Sequence, residues 1–221
     1  MENAGIDLFE AMSTLRAVRR LRTDPVPDDV LRKVLTAATW APNGGNRQPW
    51  RFIAIRKADT KQQLRDLYLP IWTAYENAHK PAIAKLAEPE RSRMEKTYAT
   101  ARHLGEHLHE APVIVVVCVH LPDLAITDAQ LGRPSVVGGG SIYPAVQNLL
   151  LACRAYGLGA TLTTLLCIQE PKVKAMLGIP ENWATAAHVP IGYPQGRGHG
   201  PLSRKPVEKV AFAERWDEPL F

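Results

Sequence analysis

Apolar residues recur along this chain at two spacings, and the switches between them mark out the elements. Leu8, Met12 and Leu15 stand four and three apart behind Asp7, which predicts a helix over 7–20. Pro27, Asp28 and Asp29 suit a helix start, and Val30, Leu31, Val34, Leu35 and Ala38 then form one apolar stripe. That helix must stop near Ala41-Pro42-Asn43-Gly44-Gly45, where proline and paired glycines punctuate the chain. Trp50–Ile55 reads as a strand. Residues 58–110 are mostly helix formers, and Pro70, Pro81 and Pro89 predict several separate pieces, because a proline ring removes an N–H and crowds the preceding turn. The run at 112–119 is continuously apolar and rich in β-branched residues, the pattern of a strand buried on both faces. Beyond it the pattern predicts a loop over 120–140, a strongly apolar helix over 141–156 closed by Gly157, and a strand over 160–166. A short helix at Glu170–Leu177 and a last strand over 188–191 complete the reading. Helices and strands mingle without a regular βαβ alternation, which predicts an α+β fold.

Composition narrows the class. With 221 residues, 46% hydrophobic and 22% charged, the chain is ordinary for a globular protein, and disordered readings drop out. A chain of this length buries roughly 70% of its unfolded surface and needs no disulfide or metal staple. Three cysteines without a C-x-x-C pair argue against a disulfide framework or zinc ribbon. The apolar run at 112–119 is far too short to span a bilayer. Glu2, Asp7 and Glu10 leave no room for a signal core, so the expected location is cytoplasmic, with no membrane partner. No repeat or composition break divides the sequence, so one domain is expected over 1–221. The tail at 193–221 carries Phe212, Trp216, Leu220 and Phe221, too apolar to dangle in water, and a partner subunit is a reasonable surface for it.

The net charge is +5 and the sequence pI about 9.2, which favours an anionic partner without identifying it. Arg16, Arg19, Arg20 and Arg22 form the densest basic cluster. On a helix, 16, 19 and 20 converge and could grip a phosphate. The plainer reading is a solvated helix end, and the cluster alone leaves both open. The loop Pro42-Asn43-Gly44-Gly45-Asn46-Arg47-Gln48-Pro49-Trp50 offers amides and accessible backbone suited to the polar edge of a flat heterocycle; an Asn-Gly turn with a packed Trp explains it equally well. His103-Leu104-Gly105-Glu106-His107 matches a zinc-protease pattern, but glycine interrupts it and no third ligand is marked, so no metal site is expected. Gly196-Arg197-Gly198-His199-Gly200 is followed at once by Pro201 rather than a helix, and reads as a flexible loop rather than a phosphate cradle. Cys118 and Cys153 lie in apolar runs and read as inert. A nucleic-acid binder would interleave aromatics with the basic cluster, and none are interleaved here. Protein acid–base machinery is inconspicuous, which suits an enzyme whose chemistry lives in a cofactor.

Several of these pieces resemble one family in order and spacing. Leu15-Arg16-Ala17-Val18-Arg19-Arg20-Leu21 resembles the R-S-x-R-x-F opening of nitroreductase-like flavoproteins, and Ala41–Phe52 looks like their A-P-S-x-x-N-x-Q-P-W-x-F signature. Ala145 to Ala152 with Gly157-Leu158-Gly159, then Gly192-Tyr193-Pro194 and Ser203-Arg204-Lys205-Pro206, complete a match over roughly 7–210. The resemblance implies a nitroreductase-like fold, a central mostly antiparallel sheet flanked by helices, in an intertwined homodimer with FMN sites at the interface. It implies that Arg16, Ala17, Arg19 and Arg20 lie along the ribityl phosphate and that Arg204 closes on it. It places Pro42, Asn43, Gly44 and Asn46 at the pyrimidine edge, and Leu162, Thr163 and Thr164 near the ring. With it, the phosphate reading of the arginines overtakes the solvated helix end. NADPH or NADH would be the electron donor and a small organic molecule, such as a nitroaromatic or quinone, the acceptor. Reductive dehalogenation, oxygen-dependent flavin cleavage and non-catalytic flavin binding are the alternatives. Three departures stand out: Ala17 replaces the usual Ser, Asn43 replaces another, and an acidic residue common before the core helix has no counterpart in 136–141. Family members differ most in the segments corresponding to 66–110 and 120–140, where substrate choice would be made.

Overall fold

The apolar run at 112–119 becomes the centre of the sheet. In the computed structural model, which describes residues 5–221, it forms β2 (Val113–His120), antiparallel to β1 (Trp50–Ile55) on one side and to β4 (Trp183–Gly192) on the other. β3 (Gly159–Ala160) pairs with β4 at the far edge, giving the order β1-β2-β4-β3. Glu2, weighed above against a secretion signal, lies outside the described residues. Side chains of β2 alternate between two cores, as a strand buried on both faces requires. Val113, Val115, Val117 and Val119 pack with Leu31 and Val34 of α2 (Asp28–Thr39) and Leu149 and Cys153 of α5 (Tyr143–Ala155). Ile114, Val116 and Cys118 face Leu64, Tyr68 and Trp72 of α3 (Ala58–Ala84), Ala101 and Leu104 of α4 (Glu90–His107), and Val173 of α6 (Glu170–Leu177). Among the described residues, six helices therefore flank one antiparallel sheet, the α+β arrangement expected. Among the described residues, no helix is long and apolar enough to cross a membrane.

Four expectations need correction, each for a physical reason. The first helix, α1, covers only Leu8–Thr14, capped by the Asp7 carboxylate, which accepts from the N–H groups of Phe9 and Glu10. Residues 15–22 leave the helix because other backbone claims them. The Val18 N–H donates to Ala160 O (3.0 Å), the Arg22 N–H to Tyr193 O (2.8 Å), and the Gln195 N–H to Arg20 O (2.9 Å). The arginines thus sit on extended backbone, not on one helical face.

Second, Pro70 and Pro81 do not divide 58–84. α3 runs unbroken for 27 residues, because its packing outweighs an interior-proline penalty of about 3 kcal/mol apiece. Gly105 lets α4 approach it closely; a Cβ there would sit 3.3 Å from Trp72 Cδ1. Pro89 does mark a boundary, immediately before α4.

Third, the strand expected over 160–166 is only Gly159–Ala160 plus an isolated bridge between Thr163 and His188. Gly159 pairs with Gly192 and Thr163 with His188, so Thr161 falls in register with Pro190. Proline has no N–H to offer, the ladder breaks there, and Leu165–Gln169 turns into a short 3-10 helix. The last strand is correspondingly longer than expected, starting at Trp183.

Fourth, the Gly196–Gly200 loop is tied down. His199 is buried, with Nε2 2.9 Å from Leu158 O and Nδ1 3.5 Å from the Arg16 N–H, and the Gly200 N–H donates to Thr14 O. Only the tautomer with the proton on Nε2 satisfies both contacts of the ring.

Candidate functional site

The extended segment at 15–20, the first half of α4 and the returning tail at 201–204 enclose a cleft of about 850 Å³. Arg16, Ala17, Arg19, Arg93, Lys96 and Arg204 line it together with Ser92, Thr97 and Thr100, and the lining contains no carboxylate. Arg16 also clamps the tail: its Nε donates to Pro201 O at 3.1 Å and its Nη2 to the same oxygen. A second cavity of about 300 Å³ opens between α3 and the broken edge strand, walled by Tyr68, Trp72 and Tyr75 on one side and Thr161, Leu162, Thr163 and Thr164 on the other.

Arg19 lines both cavities. Its guanidinium is half-buried, pairs with no carboxylate among the described residues, and is destabilised in its charged form by that burial; the Tyr68 phenol beside it acts the other way. An unpaired, partly desolvated cation is costly, and an anionic or electron-rich ligand at that spot would offset the cost. Burial raises the Tyr68 phenol above its usual range, and its oxygen accepts from Thr163 Oγ1 at 3.4 Å. Behind Thr163 stands His188, fully buried, with neither ring nitrogen hydrogen-bonded. Desolvation lowers its pKa to about 4.

The structure brings Arg16, Ala17, Arg19 and Arg204 to one cleft and Leu162, Thr163 and Thr164 to the adjoining cavity. Arg20 turns elsewhere, with Nη1 3.3 Å from His103 Nδ1. Pro42, Asn43, Gly44 and Asn46 line neither cavity. Their loop is held by the Gly44 N–H on Ser141 Oγ (3.1 Å) and the Gln48 N–H on Asn43 Oδ1 (2.8 Å), with Asn46 and Gln48 both in the left-handed region. Sequence reasoning missed Arg93 and Lys96, which looked like ordinary charges on an amphipathic helix. It also missed the aromatic wall of α3, where Tyr68, Trp72 and Tyr75 recur at helical spacing. His103 and His107 stack at 4.2 Å between ring centroids, and His107 Nδ1 lies 2.9 Å from Glu110 Oε1. Burial raises the Cys118 thiol to about 11 and holds Cys153 and Cys167 protonated as well, so none of the three is an activated nucleophile.

Comparison with known proteins gives the same shape and order of segments. The model of the nitroreductase family matches residues 14–193. The chain is 29% identical to an NADH dehydrogenase of Thermus thermophilus, over 94% of this chain and 96% of that one. It is 32% identical to a 5,6-dimethylbenzimidazole synthase of Rhodospirillum rubrum, over 93% and 88%. Among solved structures, iodotyrosine deiodinase bound to FMN and 3-iodo-L-tyrosine superimposes with a TM-score of 0.69 at 22% identity, covering 95% of this chain and all of that one.

Proposed function

This chain belongs to the nitroreductase family, and on that premise we propose that it is an FMN-dependent oxidoreductase passing electrons from NAD(P)H to a small organic acceptor. One observation carries the reading: Arg19, a half-buried guanidinium without a carboxylate partner among the described residues, joins a carboxylate-free basic cleft to an aromatic-walled cavity. A cofactor with a phosphate at one end and a planar, electron-accepting ring at the other matches that sequence of surfaces. Arg16 and Arg204 would hold the phosphate through charge-assisted hydrogen bonds. Bound there, FMN would supply two-electron transfer between donor and acceptor. Arg19 contributes a fixed positive charge that needs no reorganisation when the ring's electron density changes. Tyr68, Trp72 and Tyr75 give the smaller cavity an aromatic wall against which a planar ring can pack, and Thr163, anchored to His188 through two backbone hydrogen bonds, fixes the opposite wall.

The dimer is part of the proposal. Leu8, Phe9 and Met12 of α1, with Val207, Val210, Trp216, Leu220 and Phe221 of the tail, are exposed and apolar, more than a solitary surface comfortably carries. A second copy seated on them would cover the tail and let the Asn43–Asn46 loop of the partner subunit complete the pyrimidine side of the site. A second chemistry is favoured by the 32% identity to the 5,6-dimethylbenzimidazole synthase: bound FMN without steady-state NAD(P)H oxidation by any acceptor would select it.

The test is the visible spectrum of the purified protein before and after anaerobic NADPH. A flavin spectrum that bleaches is the expected result, and Arg16→Ala or Arg204→Ala should cut FMN retention by about tenfold or more, as loss of a charge-assisted hydrogen bond of about 1.5–3 kcal/mol implies. A colourless protein that FMN does not reconstitute, or full occupancy in both variants, would remove the reading.

A further inference from the structure

The basic cleft has two walls, and together they carry more positive charge than one phosphate neutralises. Arg16 and Arg204 stand on the side of the extended segment and the tail, while Arg93 and Lys96 stand on α4 with Ser92 and Thr97. Five cations line the cleft, Arg19 included, and no acid does. A phosphomonoester brings a charge of roughly −2, which leaves the cleft strongly positive after the cofactor is seated. Arg93 is compensated only by Glu90 at 3.7 Å, an exposed pair of little strength, and Lys96 pairs with no carboxylate among the described residues. Positions 92, 93, 96 and 97 fall on one face of α4, so the guanidinium, the ammonium and the Ser92 hydroxyl converge on the same space.

We propose that Arg93 and Lys96 form a second anion subsite that reads the 2′-phosphate of the electron donor, making NADPH the preferred donor over NADH. The inference rests on the flavin reading above and deepens it. A nicotinamide donor without the 2′-phosphate leaves both α4 cations facing water. A donor that carries it places a dianion between a planar guanidinium, suited to paired N–H contacts, and a compact ammonium one turn along.

Two measurements test it on the purified full-length protein. The ratio of kcat/KM for NADPH to that for NADH should fall about tenfold in Arg93→Gln and again in Lys96→Gln, the loss expected for one charged hydrogen bond each. The fall should appear chiefly in KM for NADPH, with FMN occupancy equal to that of the parent protein. In parallel, adenosine 2′,5′-bisphosphate should bind the parent protein more tightly than adenosine 5′-monophosphate, and the double variant should lose that difference. An unchanged NADPH-to-NADH ratio in the double variant overturns the assignment. Loss of FMN from the α4 variants overturns it as well, because Arg93 and Lys96 would then belong to the cofactor's own phosphate site. If the protein holds no flavin at all, the proposed function fails, while the nucleotide titration still decides whether α4 reads a 2′-phosphate.

Discussion

His188 is buried against the inner side of Thr163 with both ring nitrogens lacking partners, and this gives the protein a built-in sensitivity to acid. Its pKa of about 4 in the folded state stands below the 6.5 of an exposed imidazole. Below pH 6.5 the unfolded chain takes up a proton that the folded chain refuses, so stability present above that pH drains away as the pH falls toward 4. The full loss is about 3 kcal/mol. Urea midpoints measured from pH 7 to pH 4 should decline, and His188→Leu should flatten the decline; a parallel decline in the variant would assign the acid sensitivity elsewhere. At this scale the sequence was informative where residue type and spacing coincide. Arg16, Arg19 and Arg204 reach the cleft because guanidiniums in the opening and closing segments have few other employments. Arg93 and Lys96 were invisible, since a cation on a polar helix face looks the same whether it meets a ligand or water. Arg20 shows the converse: proximity in sequence put it with its neighbours, but extended backbone points it toward His103.

Elements betray where local pattern yields to tertiary context. The helix expected over 7–20 stops at Thr14 because β3 and the returning tail offer backbone partners that periodicity cannot foresee. α3 passes through two prolines because a packed face counts for more than two lost hydrogen bonds. The edge strand fails at Thr161 because of a proline on a different strand, 29 positions later in the chain. Gly159 sits where these elements cross. A Cβ there would lie 2.6 Å from Val18 Cγ1, so Gly159→Ala must push the arginine segment off β3. The expected cost is about 1–3 kcal/mol of stability together with weakened FMN retention, read by thermal melts and flavin fluorescence. The loop over 120–140 is organised by one side chain. The Asp128 carboxylate accepts from Arg133, Ser135 Oγ and the N–H groups of Val136 and Val137, which lower its pKa to about 2. Its contribution is present above the ordinary carboxylate range and disappears as pH falls through 2. Asp128→Ala should therefore open the loop to proteolysis at neutral pH, whereas cleavage at the parent rate would show that the loop holds without it.

For the whole molecule, the mingling of helix and strand patterns without βαβ alternation indicated the α+β class, while the antiparallel sheet came only from the resemblance carried by segments such as Ala41–Phe52. The sequence singled out the tail with Trp216 and Phe221 as a candidate partner surface but not Leu8 and Phe9 of α1, since apolar residues at helical spacing are distinguishable from core residues only once the core has been filled. A dimer built on them should sediment as a single species of about twice 24.4 kDa, and deletion of 207–221 should yield a monomer that retains flavin poorly. A full-length protein that sediments as a monomer with flavin bound would refute the shared site.

The sheet order also sets how this chain is born. Residues 56–112 separate β1 from β2, and 121–182 separate β2 from β4, so none of these pairings can close as a quick local hairpin. On a ribosome adding roughly 5–20 residues per second, β2 emerges about 4 to 14 seconds before its partner β4 does. Throughout that interval the most completely buried strand of the mature protein has one unpaired edge and two apolar faces in water. The nascent chain, rather than the finished one, is therefore the form most in need of a chaperone, and slowing translation after residue 120 would lengthen its exposure.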